Sequence, residues 1–152
     1  MFKPKKEWYA EGLRFTCTQC GNCCTGGPGY VWFNDQEAQA MAQYAGLSDA
    51  AFRRRHAHTV NGHWTLNERI MPNGDHDCVF LTHNADGTRG CSIYPVRPQQ
   101  CRTWPFWREN LRSESDWQHA SRKCPGMQAG NTGRGDFYSV EQIRIIRDSN
   151  NP

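Results

Sequence analysis

Four sulfurs fall within eight residues at Cys17-Thr-Gln-Cys20-Gly-Asn-Cys23-Cys24. A Cys-x-x-Cys step lets a tight turn bring two thiolates to one metal ion. Repeating the step at once supplies a third thiolate, as in the runs that wrap an iron–sulfur cluster. Gly21, inside the second step, can take the positive φ that such a wrap needs. Cys23 and Cys24 are poor partners for a mutual bridge, because an eight-membered disulfide ring strains the peptide bond between them. The spacing points to metal.

Cys78, Cys91, Cys101 and Cys124 bring the total to eight, enough for two four-thiolate sites. Zinc sites usually combine two separated Cys-x-x-Cys pairs, and only the first half of that pattern is here. The later cysteines are separated by 12, 9 and 22 residues, with no paired step. Three thiolates from one loop plus a remote fourth suit an iron–sulfur cubane, [4Fe–4S], better than zinc. Zinc stays open as the alternative, as does one centre of each kind. With Cys24 adjacent to Cys23, the loop can also serve two sites at once.

The sequence resembles the YkgJ-type cysteine-cluster proteins, a family of zinc- or iron-chelating domains. The residues that carry the likeness begin with Phe15-x-Cys17-x-x-Cys20-Gly21-x-Cys23-Cys24 and Cys78-Val79-Phe80-Leu81. Cys91-Ser-Ile-Tyr-Pro-Val-Arg-Pro98, Cys101-Arg-Thr-Trp-Pro-Phe106 and Cys124-Pro-Gly126 complete them. The resemblance covers residues 15–126 and implies metal chelation by all eight cysteines. A relative by motif, the flagellin lysine methylase, implies by analogy a cluster that supports a modification reaction.

Other side chains can assist. Arg97 and Arg102 flank the later cysteines, and a guanidinium donating to a metal-bound sulfur offsets its charge. Six histidines are scattered along the chain, His76 two residues before Cys78, and eight thiolates leave most of them to solvent. Asp75 and Asp77 beside a turn read as Asx-turn formers rather than an acid–base pair. No phosphate-cradling loop, dinucleotide-binding glycine turn or nucleophile elbow is present, so whether the chain is an enzyme stays open.

The elements that must position these groups are short. Tyr30–Phe33 reads as a strand of bulky β-formers. Asn34 with Glu37 makes a capping box for a helix to about Tyr44, stopped by Gly46. Ser48 caps a second helix into Arg53-Arg-Arg55, a basic last turn that suits the helix dipole. Asn61-Gly62 and Pro72-Asn-Gly74 are turn signals between β segments. Cys78–Leu81 and Cys91–Tyr94 read as a hairpin presenting both cysteines near its ends. Pro95 and Pro98 start a helical turn that delivers Cys101, and Trp104-Pro-Phe-Trp107 follows as a shield. Ser139 to Gln142 opens a final helix with Ile143 and Ile146 inward. The fold class expected is α+β: a small metal-stapled single domain over residues 1–152, with irregular cysteine loops, a short β-hairpin or sheet and three or four short helices.

Leu, Ile and Val number five each and Phe seven among 152 residues, so the aliphatic core is thin. Six Trp and five Tyr make up the apolar volume. Structural zinc adds about 10–16 kcal/mol to small modules, as much as a typical domain's whole margin. The formal charge of +3 falls to about −1 if eight thiolates hold two dications, so a pI near 8.5 is no argument for nucleic acid. Residues 1–14 read as a basic, extended lead-in, with no apolar stretch after Met1–Glu7 and no run long enough for a membrane. Reduced thiols and a cytoplasmic protein are therefore expected, with a redox or protein partner. Two function classes follow: an iron–sulfur protein handling electrons or supporting a modification, or a zinc-stabilised interaction module without catalysis.

Overall fold

In the computed structural model, which describes residues 6–149, the chain divides into two compact units. One comprises residues 19–102 and the other residues 6–18 with 103–149. The split unit contains strand β1 (Leu13–Arg14).

In the continuous unit, helix starts sit where side-chain chemistry puts them. The Asn34 side chain accepts the Glu37 N–H at 2.8 Å and the Glu37 carboxylate accepts the Asn34 N–H at 3.0 Å, opening α1 (Asp35–Tyr44). Ser48 accepts the Ala51 N–H at 3.1 Å and opens α2 (Asp49–His56). Arg53 in its last turn pairs with Asp49 at 2.5 Å and Asp35 at 3.0 Å, and its guanidinium lies 5.0 Å over the Trp64 ring.

Three antiparallel ribbons follow. Asn61 and Gly62, both at positive φ, join β2 (Ala57–Val60) to β3 (His63–Leu66), the primed-turn geometry their types favour. β4 (Glu68–Ile70) pairs with β5 (His76–Cys78), and β6 (Leu81–His83) pairs with β7 (Arg89–Cys91). Tyr30–Phe33, expected as a strand, makes a single bridge between Trp32 and Thr65. The expected strand Cys78–Leu81 is instead the junction of β5 and β6, with a turn at Val79–Phe80. A 3-10 turn at Tyr94–Val96 and α3 (Gln99–Thr103) then carry Cys101. The core is aromatic: Phe33, Phe52 and Phe80 meet Met41, Leu66 and Ile93, with Cys78 and Cys91 packed on its edge. Phe52 stacks on Phe80 with ring centroids 5.9 Å apart.

In the split unit, β1 pairs with β8 (Phe137–Tyr138). Helices α4 (Arg108–Leu111), α5 (Glu114–Ser121), α6 (Pro125–Asn131) and α7 (Val140–Ser149) surround buried Tyr9, Phe15, Phe106, Trp117, Met127 and Ile143. In the expected lead-in, residues 8–11 form a turn and only Leu13–Arg14 are extended, as β1, while residues 1–5 lie outside the described residues. Gly126 and Gly130 lie four apart on α6, where a Cβ would strike the carbonyls of Thr16 and Arg14. The helix therefore lies directly on the chain before Cys17. The α+β class stands as expected, but seven short helices are seen among the described residues rather than three or four. The additional ones, α4 to α6, are polar and begin at weak signals, with Ser113 capping α5 and Pro125 opening α6.

Candidate metal centre

The cysteine loop is built onto the β6–β7 ribbon. Gly21 has φ 81°, and a Cβ there would lie 2.9 Å from a Leu81 methyl and 3.2 Å from Arg89 Cβ. From this contact the chain enters a 3-10 turn at Asn22–Cys24, closed by the Cys24 N–H on Gly21 O at 3.0 Å. The Asn22 N–H points at Cys20 Sγ, 3.4 Å away. Cys23 and Cys24 hold their sulfurs 3.9 Å apart.

Three more sulfurs arrive from separate elements. Cys78 ends β5 opposite Glu68, and Cys91 ends β7 opposite Leu81. Cys101 rides on α3, whose start is fixed by the Gln99 N–H on the Glu37 carboxylate and by Gln100 bonds to the Trp32 N–H and Tyr30 O. Cys23, Cys24, Cys78, Cys91 and Cys101 feel one another's charge. The hydrogen bond from Cys24 lowers the Cys23 thiol to about 7 against its burial, helped by Arg97 and Arg89. That same bond, then burial, pushes Cys24 up, and neighbouring Cys23, Cys78 and Cys101 add to the rise. Burial raises Cys78 to about 11 and also raises Cys91 and Cys101. A cation dispersed among these five would relieve both burial and mutual repulsion.

All eight cysteines are free thiols. Among the described residues, no group of three or more His, Cys, Asp or Glu side chains is drawn in to metal-holding geometry. The donor chemistry nonetheless fits a thiophilic metal. Two thiolates about 2.3 Å from one tetrahedral ion stand roughly 3.8 Å apart, and the Cys23–Cys24 separation of 3.9 Å matches that edge. The remaining cysteines are placed differently. Cys20 lies in the same loop, while Cys17 and Cys124 belong to the split unit, where α6 lies along the residues before Cys17.

Arg97 stands beside the sulfurs: its charge lowers Cys23, Cys91 and Cys101, and its guanidinium lies 3.8 Å over the Tyr94 ring. Arg102 faces Glu37 at 4.0 Å. Arg89 went unread in the sequence, yet it lowers Cys23 and donates to Asn22. Strand alternation was its signal, since Arg89 and Cys91 share a face of β7. Asp77 is not the Asx-turn former expected of it. Asn73 takes that role, accepting the Asp75 N–H at 3.0 Å, whereas Asp77 is buried in β5. Burial pushes its carboxyl up, but hydrogen bonds from Thr25 and His83 outweigh this and hold it below the usual carboxylate range. His56 packs against both the Phe52 and Phe80 rings with Nδ1 buried and unpaired.

Comparison with known proteins agrees with this chemistry. Residues 16–125 match a family described as "Putative zinc- or iron-chelating domain". An uncharacterized protein of Methanocaldococcus jannaschii, MJ0661, is 28% identical over 104 residues, covering 68% of this chain and 51% of its own length. The chain thus spans about half the length of that curated relative. No solved structure matches. No helix among the described residues is long and apolar enough to cross a membrane. With the match covering most of its length, the chain belongs to the CxxCxxCC family of zinc- or iron-chelating domains.

Proposed function

We propose that this protein holds an iron–sulfur cluster on cysteine thiolates and acts through it in electron transfer or in support of a modification reaction. The observation that carries the reading is the mutual field of Cys23, Cys24, Cys78, Cys91 and Cys101, five soft donors delivered by one loop, two ribbons and a helix. Hard-metal chemistry has no matching oxygen set among them. Four of these thiolates would hold one centre, with Cys20 beside them and Cys17 and Cys124 as a further pair. A cluster supplies a one-electron couple when bound. The chain's own residues set its surroundings: Arg97 and Arg89 bring positive charge to the thiolates, and Phe80 and Ile93 pack behind Cys78 and Cys91 to keep water out. Full thiolate coordination leaves no position for an activated water, so hydrolysis is not the activity. A reducing, cytoplasmic setting and a redox partner protein belong to the same reading.

Anaerobic purification followed by iron, acid-labile sulfide and zinc analysis tests it. Brown protein with iron and sulfide in comparable amounts is expected. Colourless protein with zinc alone would replace this reading with a zinc-stabilised interaction module.

A further inference from the structure

We propose that Asp77 is the positioning residue of the thiolate centre, a buried carboxylate that joins three of the segments carrying its sulfurs. The inference rests on the thiolate-metal reading above. Asp77 is 1% exposed, in β5 immediately before Cys78. One carboxylate oxygen accepts the hydroxyl of Thr25, the residue after Cys24, at 2.5 Å. The other accepts from Nε2 of His83 at 2.7 Å. His83 ends β6, whose ribbon partner β7 ends at Cys91. Two further bonds reinforce the junction: the His76 N–H donates to Gly26 O at 2.7 Å, and the guanidinium of Arg69, opposite Asp77 in register, donates to Leu81 O at 2.6 Å.

A carboxylate out of water is costly unless hydrogen-bonded, and this one contributes nothing to the apolar core. Its place is explained by what it connects. Without it, the loop after Cys24 keeps only its backbone bond to β5, and the β6–β7 ribbon loses its side-chain tie to the same strand. The sulfurs of Cys24, Cys78 and Cys91 are then held less firmly relative to one another. Groups hydrogen-bonded to metal ligands typically govern affinity by about 10–100-fold, and Asp77, which acts through the segments that carry the ligands, belongs at the lower end of that range.

The experiment uses the full chain as purified with its metal. Metal loss to excess EDTA is timed for Asp77→Asn, Thr25→Val, Thr25→Ser and Asp75→Asn. Far-ultraviolet circular dichroism checks the fold, and the thiolate-to-metal charge-transfer spectrum is recorded on the iron form or, for a zinc protein, after Co2+ exchange. D77N and T25V are expected to lose metal about 10-fold faster with an altered charge-transfer band and an unchanged far-ultraviolet spectrum. T25S, which keeps the hydroxyl, and D75N, at a carboxylate that accepts from Asn73 in the turn, should behave as wild type. If D77N fails to fold, the contrast of T25V with T25S decides. Release within twofold of wild type in D77N and T25V, from a wild type that holds thiolate-bound metal, overturns the role of Asp77 alone. A wild type with no thiolate-bound metal overturns this inference and the functional reading together.

Discussion

The sulfurs of Cys23 and Cys24 lie 3.9 Å apart on adjacent residues. That is about twice a disulfide bond and close to the edge of a thiolate tetrahedron around one metal ion. The pair is set by Gly21, whose left-handed backbone turns the chain onto β6 and β7. The loop is thus held in place by contacts that do not involve metal, and metal completes it.

Those contacts fix the loop's place on the ribbon but add little to the small aromatic core, so metal removal should unfold the continuous unit. With a small aromatic core and no metal to tie the cysteine segments together, the protein in excess chelator under reducing conditions is expected to lose its cooperative thermal transition and the near-ultraviolet signal of its aromatic side chains. A metal-free protein that keeps both would show that the core stands alone.

Gly21→Ala should weaken metal binding through the backbone. An alanine at φ 81° costs about 1–2 kcal/mol. Its Cβ would also press on Leu81 and Arg89 at 2.9 and 3.2 Å. Denaturant midpoints and metal content measured together check this. Wild-type values for both would mean that the loop is not seated on the ribbon.

Phe52→Ala removes the ring at the centre of the core, fully buried between Phe33 and Phe80. A cost of about 3–5 kcal/mol is expected. Because Cys78 and Cys91 pack against this core, faster metal loss should accompany it. A change below about 1 kcal/mol in chemical denaturation would contradict the packing described.

His56 supplies a pH test away from the sulfurs. Burial, and then the charge of Arg55, lowers its folded pKa below the ordinary 6.5. Its contribution is fully present above the unfolded value and is lost as pH falls through the lowered folded one. Between pH 7.5 and 5.5 the wild type should lose stability relative to His56→Phe, no more steeply than about 1.4 kcal/mol per pH unit. Parallel curves for the two proteins would remove His56 from the account.

The helices with strong local chemistry were legible in the sequence: the Asn34–Glu37 box, the Ser48 cap and the Ser139–Gln142 box all form. So was the Asn61-Gly62 hairpin. Helices α4 to α6 were not, because their polar sequences lack a 3.6-residue apolar period and gain their stability from packing on Phe106 and Trp117. In the site, spacing alone drew attention to every cysteine and to Arg97. It could not separate the five coupled sulfurs from Cys17 and Cys124, a division that depends on tertiary placement. Asp77 looked like a turn residue because its partners, Thr25 and His83, are distant or hidden by the ribbon geometry.

X-ray absorption at the iron and zinc edges of anaerobically purified full-length protein tests the central claim most directly. The account predicts iron coordinated by sulfur alone, with the signal lost when Cys78 and Cys101 are replaced by serine. Nitrogen or oxygen ligands at the metal, or a metal signal indifferent to those two replacements, would contradict it.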